Sequence, residues 1–168
     1  MAWKPSKGLV LLIVVTAAVA APQSAQAQRF VTISGGPANY DLSGTGWSGT
    51  AGAYIEDSRR SWFAVEYGAS LFWYRPQFDD RAIMLLPEGG IAFQGPRYIP
   101  VRFGLGVGHS LTISGDQPQE PTVYATLGLS FSVHGDWRVR PELRARFVEP
   151  FHGVISGFTL GVSRRLSE

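Results

Sequence analysis

No cysteine occurs among the 168 residues, which excludes disulfides, thiolate nucleophiles and cysteine-held metal ions. Lysine is nearly absent as well: Lys4 and Lys7 are the only two, and both fall in the first seven residues. Beyond them the chain carries 13 arginines against 13 acidic residues, so its formal charge there is zero. A neutral chain of this kind offers nucleic acid no basic footprint. Charged residues make up 17% of the chain, below the roughly 25% of ordinary soluble domains. After residue 21 no apolar run reaches the roughly 20 residues that a spanning helix requires, and no segment repeats with a helical period. What is abundant is glycine, 20 residues, together with aromatic and aliphatic residues in strict alternation with small polar ones.

The first 27 residues form three zones: the basic start with Lys4 and Lys7, an apolar stretch from Gly8 to Ala21, and a small polar stretch ending Ala25-Gln26-Ala27. This pattern predicts a secretory signal peptide over residues 1–27, cleaved after Ala27. Retention as a membrane anchor is the alternative, and the short apolar stretch followed by an A-x-A site argues against it. Residues 28–168 then form one domain, and if it lives in a membrane it must do so as a sheet.

Period-2 alternation predicts eight strands: Arg29 to Tyr40, Trp47 to Glu56, Ser61 to Tyr74, Ile83 to Gln94, Val101 to Thr112, Thr122 to Val133, Trp137 to Phe147 and Val154 to Leu166. Tight turns at Asp57 to Arg60, Gly95 to Tyr98 and His134 to Asp136 alternate with longer loops, the pattern of an even-stranded up-and-down barrel. Pro87 and Pro141 fall inside strands, where local bulges would accommodate them.

The strand from Trp137 alternates Val139, Pro141, Leu143, Ala145 and Phe147 with Arg138, Arg140, Glu142, Arg144 and Arg146. In a soluble barrel this charged row would face water. In a membrane barrel it must face the lumen, because Arg toward lipid costs about 2–4 kcal/mol at the midplane. The other strands put Glu56, Glu66, Glu88 and Arg102 on the same polar face, among Gly, Ser and Thr. Four glutamates and five arginines on one face of otherwise small residues read as a paired lumen network of structural role. Gly104, Gly106 and Gly108 alternate within a strand with no helix after them, so they make room for lumen side chains and do not bind phosphate. Two aromatic belts are expected: Trp62, Phe63, Phe93, Tyr98 and Trp137 at the tight-turn ends, and Tyr40, Trp47, Phe72, Trp73, Tyr74, Phe147 and Phe151 at the loop ends.

On these features the chain resembles the small outer-membrane β-barrel family, the OmpA-like transmembrane barrels of bacteria. The signal peptide, the run Val101-Arg102-Phe103-Gly104-Leu105-Gly106-Val107-Gly108, the segment Tyr40-Asp41-Leu42-Ser43-Gly44-Thr45-Gly46 and the closing strand Gly157 to Leu166 carry the resemblance. It implies an all-β, eight-stranded antiparallel transmembrane barrel in the bacterial outer membrane. Outer-membrane lipid and the outer-membrane assembly machinery would be its partners. The family's last strand commonly ends in an aromatic, whereas here Leu166 is followed by Ser167-Glu168. No peptidoglycan-binding domain is expected after the barrel.

Catalytic, cofactor and metal sites are not expected. His109, His134 and His152 share no ligand spacing, and His109 and Ser110, adjacent in a strand, point to opposite faces. Asp79, Asp80, Asp116, Glu120 and Glu149 make the loop end acidic, as a solvated surface or as a site for a divalent cation. The leading reading is therefore a monomeric structural or surface-interaction barrel whose filled lumen is not a general porin. A soluble lipocalin-like carrier of an apolar ligand and a lipid A-modifying barrel enzyme are the alternatives.

Overall fold

The computed structural model describes residues 27–41, 44–57, 62–75, 82–96, 99–114, 119–148 and 153–166. Residues 1–26 of the expected signal peptide, Tyr98, Phe151, His152 and most of the connecting segments lie outside the described residues. Ten strand segments follow one another: β1 Ala27–Tyr40, β2 Gly44–Asp57, β3 Phe63–Arg75, β4 Ala82–Gln94, β5 Val101–His109, β6 Leu111–Ser114, β7 Pro121–Leu129, β8 Phe131–His134, β9 Trp137–Val148 and β10 Gly153–Arg165. Each of the pairs β5/β6 and β7/β8 is one barrel strand interrupted at a single residue, Ser110 or Ser130, so the ten segments make eight strands. Every pairing is antiparallel, and β10 pairs both β9 and β1, which closes the sheet on itself. Closure leaves the long strands without an unpaired edge.

The side-chain period of two sorts the sequence into an outside and an inside. In β1–β5, β7 and β9 the even-numbered residues point inward, and in β10 the odd-numbered ones do, because Thr32 faces Ser163 and Ser34 faces Gly161. The outward set is apolar and exposed: Ile33 is 67%, Val107 64% and Leu143 58% accessible. The inward set is buried, its charges included, Arg102 at 2% and Arg140 at 3%. This polarity is the reverse of a water-soluble barrel with an apolar interior.

The prolines correct one expectation. The β3–β4 register runs unbroken through Ala69 and Pro87, and the β9–β10 register through Pro141 and Leu160, so neither proline sits in a bulge. Each instead splits the strand beside it. A Cβ at Gly108 would meet the Pro87 carbonyl at 2.5 Å, and one at Gly128 the Pro141 carbonyl at 2.5 Å, so these prolines face β5 and β7. Lacking an N–H, they cannot complete those ladders, and the gaps fall at Ser110 and Ser130. On their other side both residues stay in register: the Ser110 N–H donates to the Glu120 carbonyl (2.8 Å) and the Ser130 N–H to the Pro100 carbonyl (2.7 Å), which extends the β5–β7 ladder by one residue at each end. Register shifts do occur, but between Ile83 and Met84 and between Ser132 and His134.

Asp41, at a φ of 48°, turns the chain from β1 toward β2. Its N–H donates to the Val154 carbonyl (3.0 Å) while its carboxylate accepts the Val154 N–H (2.7 Å), which ties this loop to the start of β10. Gly135, at a φ of 54°, makes the tight turn between β8 and β9, a conformation open to glycine at no steric cost.

Candidate functional site

The interior is built in three layers. At the loop end Ala38, Phe72, Tyr74, Ala82, Met84, Leu86, Val148 and Ile155 pack into an apolar plug, with the rings of Phe72 and Tyr74 stacked at 4.7 Å. This plug corrects the loop-end aromatic belt, because Phe72 and Tyr74 are buried inside the barrel and Tyr40 packs against them. Height along the strand had assigned them outward, whereas their even positions assign them inward. Trp47, Trp73 and Phe147 remain outward at this end, and Trp62, Phe93 and Trp137 at the other.

The middle layer is charged. Arg140 Nη2 reaches Glu66 (3.1 Å) and Glu142 (2.5 Å), and Arg102 bonds the same two glutamates, Glu142 at 3.2 Å. Arg144 spans Glu88 (3.1 Å) and Glu142 (3.7 Å). Arg146 pairs with Glu88 and donates to Ser70 (2.6 Å), whose hydroxyl donates on to Glu88 (3.2 Å). Seven charges thus form one network spanning β3, β4, β5 and β9. The remaining two, Arg138 and Glu56, pair with each other nearer the tight turns, where Gln94 also donates to Glu56. The third layer, Phe30, Tyr54, Ala64 and Ala92, is an apolar cluster beside that pair, with Phe30 and Tyr54 stacked at 4.7 Å. Arg140 lies over the Tyr54 ring at 4.8 Å and Arg138 over the Phe30 ring at 4.2 Å.

Glycine makes the space for this layer. A Cβ on Gly106 would lie 2.5 Å from the Tyr124 ring, and one on Gly90 2.6 Å from its hydroxyl. Tyr124 therefore lies across bare backbone, with the Arg144 guanidinium over its ring at 5.3 Å from the centre. Opposite, β1, β2 and β10 present small residues, and a cavity of about 30 Å³ lies between Thr32, Ser34 and Thr50 on one side and Arg140 and Arg144 on the other. That is room for a water or two.

Charges outside the lumen are divided between the ends. Among the described residues, Arg29, Arg164 and Arg165 stand at the tight-turn end against Asp136. The loop end has Asp41 and Glu120 against Arg75. Most of the acidic loop residues are outside the described set. Among the described residues no three His, Asp or Glu side chains converge as a metal site. The His109 ring meets the Ser110 carbonyl (2.8 Å), and the Ser110 hydroxyl is bonded to the Glu120 backbone.

No family model and no curated protein matches the chain. Solved structures do. Neisserial surface protein A (NspA) is 15% identical with a TM-score of 0.60, covering 84% of this chain and 97% of that one. The N-terminal β-barrel domain of OprF from Pseudomonas aeruginosa is 15% identical with a TM-score of 0.51, covering 84% and 100%. Ail, the attachment invasion locus protein of Yersinia pestis, is 13% identical with a TM-score of 0.50, covering 83% and 97%. At such identities the likeness is one of fold: this chain has the closed eight-stranded antiparallel barrel found in outer-membrane proteins.

Proposed function

We propose that the chain is a bacterial outer-membrane barrel of the small OmpA-like kind, with a structural or surface-interaction role and no catalytic one. The observation that carries this reading is the inverted polarity: Ile33, Val107, Leu143 and their outward neighbours are exposed while nine charged side chains turn inward. In water an apolar face of this extent is an aggregation liability, whereas in a bilayer it is the solvated face. A carrier of apolar ligands needs an apolar hollow, and the centre of this barrel is instead occupied by ion pairs.

In this reading the protein is exported, loses residues 1–27, is inserted by the outer-membrane assembly machinery and stands as a monomer. Both ends of the folded chain and the tight turns face the periplasm, and the loops face outward to meet a surface partner. The paired lumen, with an apolar plug at its loop end, supports a barrel that anchors its loops and does not serve as a general porin. The test is cell fractionation combined with gel mobility before and after heating. Recovery in the outer membrane with a heat-dependent mobility shift is expected; a soluble periplasmic protein whose mobility ignores heating contradicts the reading.

A further inference from the structure

Two exposed arginines at the tight-turn rim, Arg29 on β1 and Arg164 on β10, point outward from the barrel, and among the described residues neither has an acidic partner. They are diagonal neighbours across the β1–β10 ladder: Arg164 stands opposite Val31, and the Leu166 N–H donates to the Arg29 carbonyl (2.8 Å). Trp137 on β9 is the cross-strand partner of Arg164, whose guanidinium lies 5.5 Å from the ring centre. Above this trio the outward columns Val31–Ile33 and Val162–Leu160 are continuous, exposed and apolar. Arg165 beside them is already paired with Asp136 (2.5 Å).

We propose that Arg29 and Arg164, backed by Trp137, bind the phosphate of an anionic phospholipid in the periplasmic leaflet, with its acyl chains lying along the Val31–Ile33 and Leu160–Val162 columns. This rests on the outer-membrane reading above. Two guanidinium groups on adjacent strands suit a phosphodiester, because each offers several fixed donors to its oxygens. The indole supplies the interfacial contact that Trp makes where apolar surface meets head groups. The charge division favours the same occupant: the tight-turn end is arginine-rich, whereas the acidic loop end would repel an anionic lipid.

The test uses the full barrel refolded into vesicles, with spin-labelled phosphatidylglycerol or phosphatidylcholine of matched chains reporting the lipid held at the protein surface. A preference for phosphatidylglycerol of about fivefold or more per arginine is expected, since each basic group near an anionic surface contributes about 1 kcal/mol. The R29Q/R164Q double variant should bring it to about parity, while R75Q at the loop end should leave it unchanged. No preference in the parent barrel, or an equal loss in R75Q, overturns the proposal. Loss of the preference on adding millimolar inorganic phosphate does so too, by revealing a site for free anions. Failure of the parent to insert into vesicles defeats the membrane reading itself, so the two failures are distinguishable.

Discussion

Arg140 is a charge that water scarcely reaches, and its place in the barrel rests on Glu66, Glu142 and the Tyr54 ring. Removing one partner from a buried pair strands the other, at a cost of about 3–5 kcal/mol. Glu66→Ala and Arg140→Ala should each lose that much in reversible urea unfolding of the vesicle-inserted barrel, with Arg75→Ala at the exposed loop rim losing less than about 1 kcal/mol. Equal losses at all three positions would mean that the interior pairs are solvated. The glycines make a finer test of packing. Gly106→Ala drives a methyl into the Gly89 carbonyl and the Tyr124 ring and should cost about 1–3 kcal/mol by overpacking, whereas at outward Gly35 the nearest atom, Ser48 O, is 3.5 Å from an added Cβ. Gly35→Ala should be neutral or slightly stabilising, and a reversal of this order in the same unfolding assay would contradict the close packing around Gly106.

Proline decides where two of the strands break. Pro87 and Pro141 keep the register, yet each withholds one ladder hydrogen bond from its neighbour. Restoring it by Pro87→Ala or Pro141→Ala should create an amide that exchanges as slowly as those of the adjacent ladder; rapid exchange at the new amide would show that the gap has another cause. The β8–β9 hairpin carries a second expectation. β8 pairs with β9 alone and its four residues are all exposed, so amides of Phe131–Val133 should exchange faster than those of Val123–Leu127 in β7. Strand identity and facing were legible in the sequence because alternation is a local, one-dimensional signal, as the run from Trp137 to Phe147 demonstrates. Two features were not. The plug formed by Phe72, Tyr74, Met84 and Leu86 depends on parity outweighing the affinity of aromatics for the membrane boundary. The strand breaks depend on a proline in the neighbouring strand, which only the register reveals.

At the scale of the whole molecule, a chain of zero net charge beyond its first 27 residues is divided into an acidic loop end, an arginine-rich tight-turn end and an interior where five arginines meet four glutamates. Around that interior the exposed apolar band lies between outward tryptophans, with Trp47 and Trp73 paired across β2 and β3 at one end and Trp62 and Trp137 at the other. This arrangement makes tryptophan fluorescence a direct reporter of the surface that faces lipid. The barrel is refolded into vesicles whose acyl chains carry bromine either close to the head group or close to the chain end. Strong quenching is predicted in both, deeper when bromine lies near the head group, because all four tryptophans stand at the rims of the apolar band. Emission that no brominated lipid quenches but that an aqueous quencher removes would contradict a barrel with its apolar face in the membrane.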